Sequence, residues 1–94
     1  MKYLWDENKN EANIKKHGID FFDVPPIFQL PMLRYYDTKL DYGEDRWIGM
    51  GLLKTIVIVV VYTEPSEDTI RIISARKAKI FERKKYETQI KNEF

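Results

Sequence analysis

The chain has 94 residues, 44% of them hydrophobic and 33% charged, with no cysteine, one histidine and a formal net charge of +1. That length and balance describe one globular domain, 1–94, and the absence of cysteine excludes disulfide frameworks, thiolate metal sites and cysteine nucleophiles together. The charge is uneven: residues 1–70 hold 8 basic and 12 acidic side chains, whereas residues 71–94 hold 8 and 3, so the C-terminal part is the one that can attract a polyanion.

In chain order, Tyr3-Leu4-Trp5 reads as a short strand. Charge interrupts the N-terminus at once, so it lacks a signal-peptide core. Asp6 offers a side-chain oxygen to a helix start, and the polar segment from Asn8 to His17 forms that helix, stopped by Gly18. Asp20 to Val24 is a further helical turn or two, broken by Pro25-Pro26. Leu33 to Tyr36 is a strand, and Tyr42-Gly43-Glu44-Asp45 a turn. Arg46 to Leu52 alternates as a half-buried strand does, and the β-branched run Ile56 to Tyr62 suits a strand buried on both faces. Glu64 to Asp68 is a turn. Thr69 to Ser74 is a strand whose alternation puts Arg71 and Ile73 on one face and Ile70 and Ile72 on the other. Ala75 to about Lys91 is a long basic helix. Short turns between consecutive strands imply an antiparallel meander covered by helices, an α+β fold. The longest apolar run, Ile56 to Val61, is far below the roughly 18–20 residues that span a bilayer, so the expected protein is soluble and cytoplasmic, with no membrane partner.

His17 is the single histidine, and imidazole is the side-chain type best suited to moving protons. A histidine in the last turn of a helix is equally suited to complement the negative end of its dipole. Lys9, Asn13, Lys16 and His17 recur at helical spacing, as a phosphate-holding stripe or as the solvent side of an amphipathic helix. Arg71, Arg76 and Arg83 approach the junction of the last strand and the terminal helix, and arginine grips phosphate through a planar fork. Tyr86 lies three residues beyond Arg83, where a ring can stack on a base or donate to a phosphate oxygen. The plainer alternative has Glu82 and Glu87 in surface ion pairs and Tyr86 packed on the sheet. Trp5 and Trp47 read as packing residues, and Arg46 reaches either a substrate or Glu44. No phosphate loop, dinucleotide fingerprint or serine elbow is present, and one histidine without cysteine argues against zinc; no cofactor is expected.

The ordered pieces Trp5-Asp6-x-x-Lys9, Asn13-x-x-Lys16-His17-Gly18-Ile19-x-Phe21, Phe28, Asp45-Arg46 with Gly49, Val60-Val61-Tyr62, Arg71-Ile72-Ile73-Ser74-Ala75-Arg76-x-Ala78 and Glu82-Arg83-x-x-Tyr86 resemble the BrnT toxin family over nearly the whole chain. The departure is Val24-Pro25-Pro26, where the family more often has an uninterrupted helix. The resemblance implies a RelE-like fold and a ribonuclease toxin. It also implies a BrnA-type antitoxin, in a heterotetramer with two of each chain, that reads operator DNA while the toxin does not. Metal-free RNA cleavage then needs a base, an acid and positive charge around the phosphate. Arg76, Arg83 and Lys9 are the candidates for holding phosphate, with Lys16, Arg46 and Arg71 as further RNA contacts. His17 or Glu82 would move protons, and Tyr86 would stack or orient. Two other classes use the same basic helix: a non-catalytic RNA-binding module and a protein-interaction domain.

Overall fold

The computed structural model describes residues 1–37 and 43–91. The elements are β1 (Lys2–Leu4), α1 (Glu7–His17), two 3₁₀ turns (Phe21–Asp23 and Pro25–Gln29), β2 (Leu33–Tyr36), β3 (Trp47–Leu53), β4 (Ile56–Ser66), β5 (Thr69–Lys77) and α2 (Ile80–Lys91). β2 to β5 form the expected antiparallel meander. β1 adds to it in parallel beside the first residues of β5, giving a mixed sheet of order β1-β5-β4-β3-β2.

The local signals act as chemistry requires. The Asp6 side chain accepts the Lys9 N–H at 3.1 Å, and Gly18, at φ 72°, closes α1 by donating its N–H to the Ile14 carbonyl. Pro25 and Pro26 occupy the first positions of the second 3₁₀ turn, where a missing N–H costs nothing. Two single turns thus replace a second helix. Gly51 lets that turn lie directly on β3: a Cβ there would stand 3.2 Å from Ile27 Cβ.

Strand lengths depart from expectation. β4 runs on through Ser66 and leaves Glu67-Asp68 as the turn; Tyr42 of the expected 42–45 turn lies outside the described residues. β5 continues to Lys77, so Ala75, Arg76 and Lys77 are strand rather than helix, paired with Val60, Val59 and Ile58.

β4 is central, and its alternating side chains feed two cores. Ile58, Val60 and Tyr62 pack with Phe21, Val24 and Ile27 beneath the N-terminal segments, on the α1 face of the sheet. Val57 and Val59 pack with Met50 and Tyr86 beneath α2, on the α2 face. Ile70 and Ile72 of β5 belong to the α1 face, so strict alternation would send Ser74 and Arg76 there too. A bulge prevents it. The register passes from Val61 opposite Ser74 to Tyr62 opposite Ile72, leaving Ile73 as the extra residue. Beyond it Ala75 takes the α1 face, and Ser74 and Arg76 share the α2 face with Arg71.

Where β1 ends, α1 takes over the edge of β5. The Asn13 side chain pairs with Ala75 as a neighbouring strand would: Nδ2 donates to the Ala75 carbonyl at 2.9 Å and Oδ1 accepts its N–H at 3.1 Å. Nδ2 also donates to the Ile19 carbonyl at 2.9 Å. Asn10 likewise accepts from the Phe21 N–H at 2.8 Å and donates to Asp20 at 2.9 Å. Asn13 is only 6% exposed, which corrects its expected place on a solvent stripe. The buried side of α1 is hydrogen-bonded rather than apolar, so no amphipathic pattern marks it.

Asn13→Ala leaves three buried backbone groups without a partner. Unsatisfied groups cost roughly 1–3 kcal/mol each, partly recovered by relaxation, so we expect a loss of about 2–4 kcal/mol in urea unfolding. Exposed Lys16→Ala should stay within about 0.5 kcal/mol of the parent. Equal stabilities for the two variants would refute the edge-pairing role.

Candidate functional site

One carboxylate closes the junction between β5 and α2. Glu82, in the first turn of α2, accepts the Lys79 backbone N–H through Oε1 at 2.8 Å, which caps the helix start. The same carboxylate receives Arg76 end-on, Nη1 to Oε1 at 2.8 Å and Nη2 to Oε2 at 2.9 Å. Nη1 also donates to the Lys77 carbonyl at 3.3 Å. A guanidinium has five N–H groups. The Nε–H and the second Nη2 hydrogen of Arg76, which lie along one edge, have no acceptor among the described residues. The Arg76 side chain is 36% exposed and that of Glu82 only 9%, so the protein grips one edge of the arginine and the arginine remains the accessible member.

The hydrogen bonds from Arg76, helped by the Lys79 N–H, hold the Glu82 carboxyl down from the ordinary 4.5 to about 2, against the opposing effect of burial. Its bond to Glu82 pushes the Arg76 guanidinium further up. A carboxylate so strongly held as the anion is a poor proton acceptor. Its geometry suits holding Arg76 rather than the proton transfer expected of it.

Lys9, Lys16 and His17 come together. With Ala12, Asn13, Ile73 and Ser74 they line a groove of about 220 Å³ where α1 meets β5. His17 is half-buried at the end of α1, so the helix-terminal position and the groove position coincide. Ser74 connects this groove to the clamp, since the bulge puts it on the α2 face two residues before Arg76. Lys9 also lines the adjoining groove with Trp5, Asp6, Arg71 and Ile73. Arg71 pairs with Glu44 at 2.5 Å, and the same carboxylate lies 3.5 Å from Arg46, so Arg46 does reach its acidic neighbour.

Two expected site residues fall elsewhere. Tyr86 is buried at 8% exposure against Met50, Val57 and Val59, and burial raises its hydroxyl pKa. It is a core residue, not a free stacking platform, because α2 turns it onto the sheet. Arg83 follows Glu82 by about 100° around the helix. It reaches Glu87 at 3.7 Å and lines a groove with Leu52, Val57 and Tyr86 on the other flank of α2, away from the clamp.

Tyr35, given no role by the sequence, stands on the α2 face of β2 at 37% exposure. Burial first, then the Glu82 charge, raises its hydroxyl pKa, and Lys85 Nζ sits 5.3 Å from its ring centre. Its neighbours come from β5 and α2, so no local pattern could have marked it. Among the described residues no three His, Cys, Asp or Glu side chains converge as a metal site requires, and no helix is long and apolar enough to cross a membrane.

Glu82 gains a lowered pKa on folding, so its contribution is complete above about 4.5 and is lost as pH falls through about 2. Glu82→Gln should cost about 1–3 kcal/mol at neutral pH. The gap from the parent should narrow progressively between those two values in urea titrations. A gap independent of pH would disprove the clamp.

A family profile described as ribonuclease toxin, BrnT, of type II toxin–antitoxin systems matches residues 5–82. The solved structure of the Brucella abortus ribonuclease toxin BrnT is similar, with 35% identity and a TM-score of 0.70, covering 84% of this chain and 97% of that one. No curated protein matches significantly. The chain belongs to the BrnT family of ribonuclease toxins of type II toxin–antitoxin systems.

Proposed function

We propose that this BrnT-family chain is a metal-independent endoribonuclease of RelE-like fold that cuts cytoplasmic RNA, arrests growth and is held inactive by a BrnA-type antitoxin. The antitoxin would bind in a 2:2 assembly and carry the operator contacts. The observation that carries the nuclease reading is the Arg76 guanidinium, fixed along one edge by Glu82 and open along the other. A phosphodiester binds such an open fork through two oxygens, and the arginine stays charged throughout.

The reaction follows from RNA's own chemistry. The 2′-oxygen forms a bond to the adjacent phosphorus as the bond from phosphorus to the 5′-oxygen breaks, leaving a 2′,3′-cyclic phosphate and a free 5′-hydroxyl. One proton leaves the 2′-hydroxyl and one reaches the departing 5′-oxygen. Arg76 stabilises the extra negative charge of the five-coordinate phosphorus without having to reorganise, because Glu82 already holds it. His17, in the groove that ends at Ser74, carries the imidazole able to take and return a proton. Lys9 and Lys16 attract and align the backbone there, and Arg71 and Arg46 extend that attraction across the sheet. Tyr86 supports α2 and Arg83 adds only long-range charge.

Arg76→Ala should lower RNA cleavage about 10²–10³-fold, the usual effect of removing one charge-stabilising donor, with unfolding still cooperative. Arg83→Ala should lose less than about tenfold. Parental cleavage by Arg76→Ala would overturn the assignment, and 3′ ends lacking a cyclic phosphate would overturn the chemistry. Excess chelator should leave the parental rate unchanged; abolished cleavage would establish a metal requirement. RNA bound but never cut would favour the non-catalytic module.

A further inference from the structure

The α2 face of the sheet is only partly covered. α2 lies over the row Leu33, Met50, Val59, which ends at Arg76. The next row crosses four strands in register: Tyr35 opposite Ile48, Ile48 opposite Val61, Val61 opposite Ser74. Tyr35 is exposed and the other three are half-buried, so this row forms an open strip running from β2 to the edge of β5. At its β5 end Ser74 opens into the groove of Lys9, Lys16 and His17. Arg76, Glu82 and Lys85 flank it on one side, with one positive charge in excess. Arg46 and Arg71 lie beyond its other side, where the Glu44 carboxylate and the buried Asp37, close enough to act on Tyr35, balance their charge.

A strip with an aromatic ring at one end, apolar side chains along its floor and cations on both flanks has the chemistry of a single-stranded nucleic-acid track. A duplex would need wider access than one row of side chains offers. We propose that this strip holds single-stranded RNA and that Tyr35 is the platform on which one base stacks. The inference rests on the nuclease reading only for its biological meaning, since binding can be observed without cleavage. Lys85 covers part of one ring face by a cation–π contact, which orients the ring and brings an ammonium near the phosphate of a stacked nucleotide. A nucleotide on Tyr35 would leave the adjoining backbone to run over Ile48 and Val61 toward Arg76 and Ser74. Tyr35 would therefore determine which nucleotide is preferred at one position beside the cut, through stacking strength, and would do no chemistry itself.

The test uses the full chain and a short RNA whose 2′-oxygens are methylated, so that it cannot be cut, carrying 2-aminopurine as a fluorescent base. Binding should quench the base, as stacking on an aromatic ring does. Tyr35→Ala should raise the Kd roughly 10- to 100-fold and abolish the quench, while Tyr35→Phe keeps both near the parent. Phe22→Ala, a residue 74% exposed on the α1 side, should change neither. Parental binding and quenching in Tyr35→Ala would overturn the proposal. So would equal loss in Tyr35→Ala and Tyr35→Phe, which would point to the hydroxyl instead of the ring. Unchanged RNA affinity of Tyr35→Ala together with lost affinity for a protein partner would likewise overturn it, assigning the strip to a protein. Whether the parent cuts unmodified RNA is read separately, so failure of the nuclease reading and failure of the track remain distinguishable.

Discussion

The whole arrangement depends on a single extra residue in β5. Ile73 bulges out of register with β4, and the side chains beyond it change sides. A bulge disrupts ladder pairing locally and persists only where neighbouring structure holds it. Here Asn13 does so, its carboxamide occupying both the N–H and the carbonyl of Ala75 two residues later. Without that shift Arg76 would point into a core built from Phe21, Ile58 and Ile72, where an unpaired guanidinium is very costly. With it, Ser74 and Arg76 join Arg71 in looking toward α2 and solvent.

At the end of the strand, one side chain serves two purposes. Glu82 caps the first turn of α2 through Oε1 and clamps Arg76 with both of its carboxylate oxygens. The helix start and the orientation of the arginine are therefore one structural event. The carboxylate's lowered pKa expresses this: protonating it would weaken the cap and the clamp together. A rigid, pre-charged donor is what phosphate chemistry asks of a protein, because a side chain that must first be ordered gives back part of what it gains. The position of the clamp beside the groove of Lys9, Lys16 and His17 joins the two ends of the chain around β5.

The basic C-terminal part is accordingly not one surface. Of the cations in residues 71–94, Arg71 pairs with Glu44, Arg76 with Glu82 and Arg83 with Glu87. Each pair leaves the arginine more exposed than its carboxylate partner, so local positive potential survives near neutral overall charge. The small net charge of the chain hides this, because acidic residues serve as anchors. α2 then divides the field, with Arg76 on one flank and Arg83 on the other.

Much of the fold was legible from the chain alone, because its signals are local. Asp6 and Gly18 bound α1, Pro25-Pro26 interrupts the next helical segment, and the β-branched run of β4 marks a strand between two layers; each depends on a residue's own backbone preferences or on alternation. The family resemblance, carried by Lys16-His17-Gly18-Ile19 and Ile73-Ser74-Ala75-Arg76, was legible for the same reason. Matters of register and pairing lay beyond the sequence. Simple alternation cannot foresee a bulge, so the face of Arg76 was open. Polarity suggests solvent, so Asn13 looked exposed although its hydrogen-bond partners lie outside its helix. Glu82 and Tyr86 both resembled site residues by spacing, yet one became a clamp and the other a core side chain. Tyr35 carried no sign at all, because the residues that give it meaning reach it only through the folded sheet. Local chemistry determined the elements; long-range contacts decided which side chains share a surface.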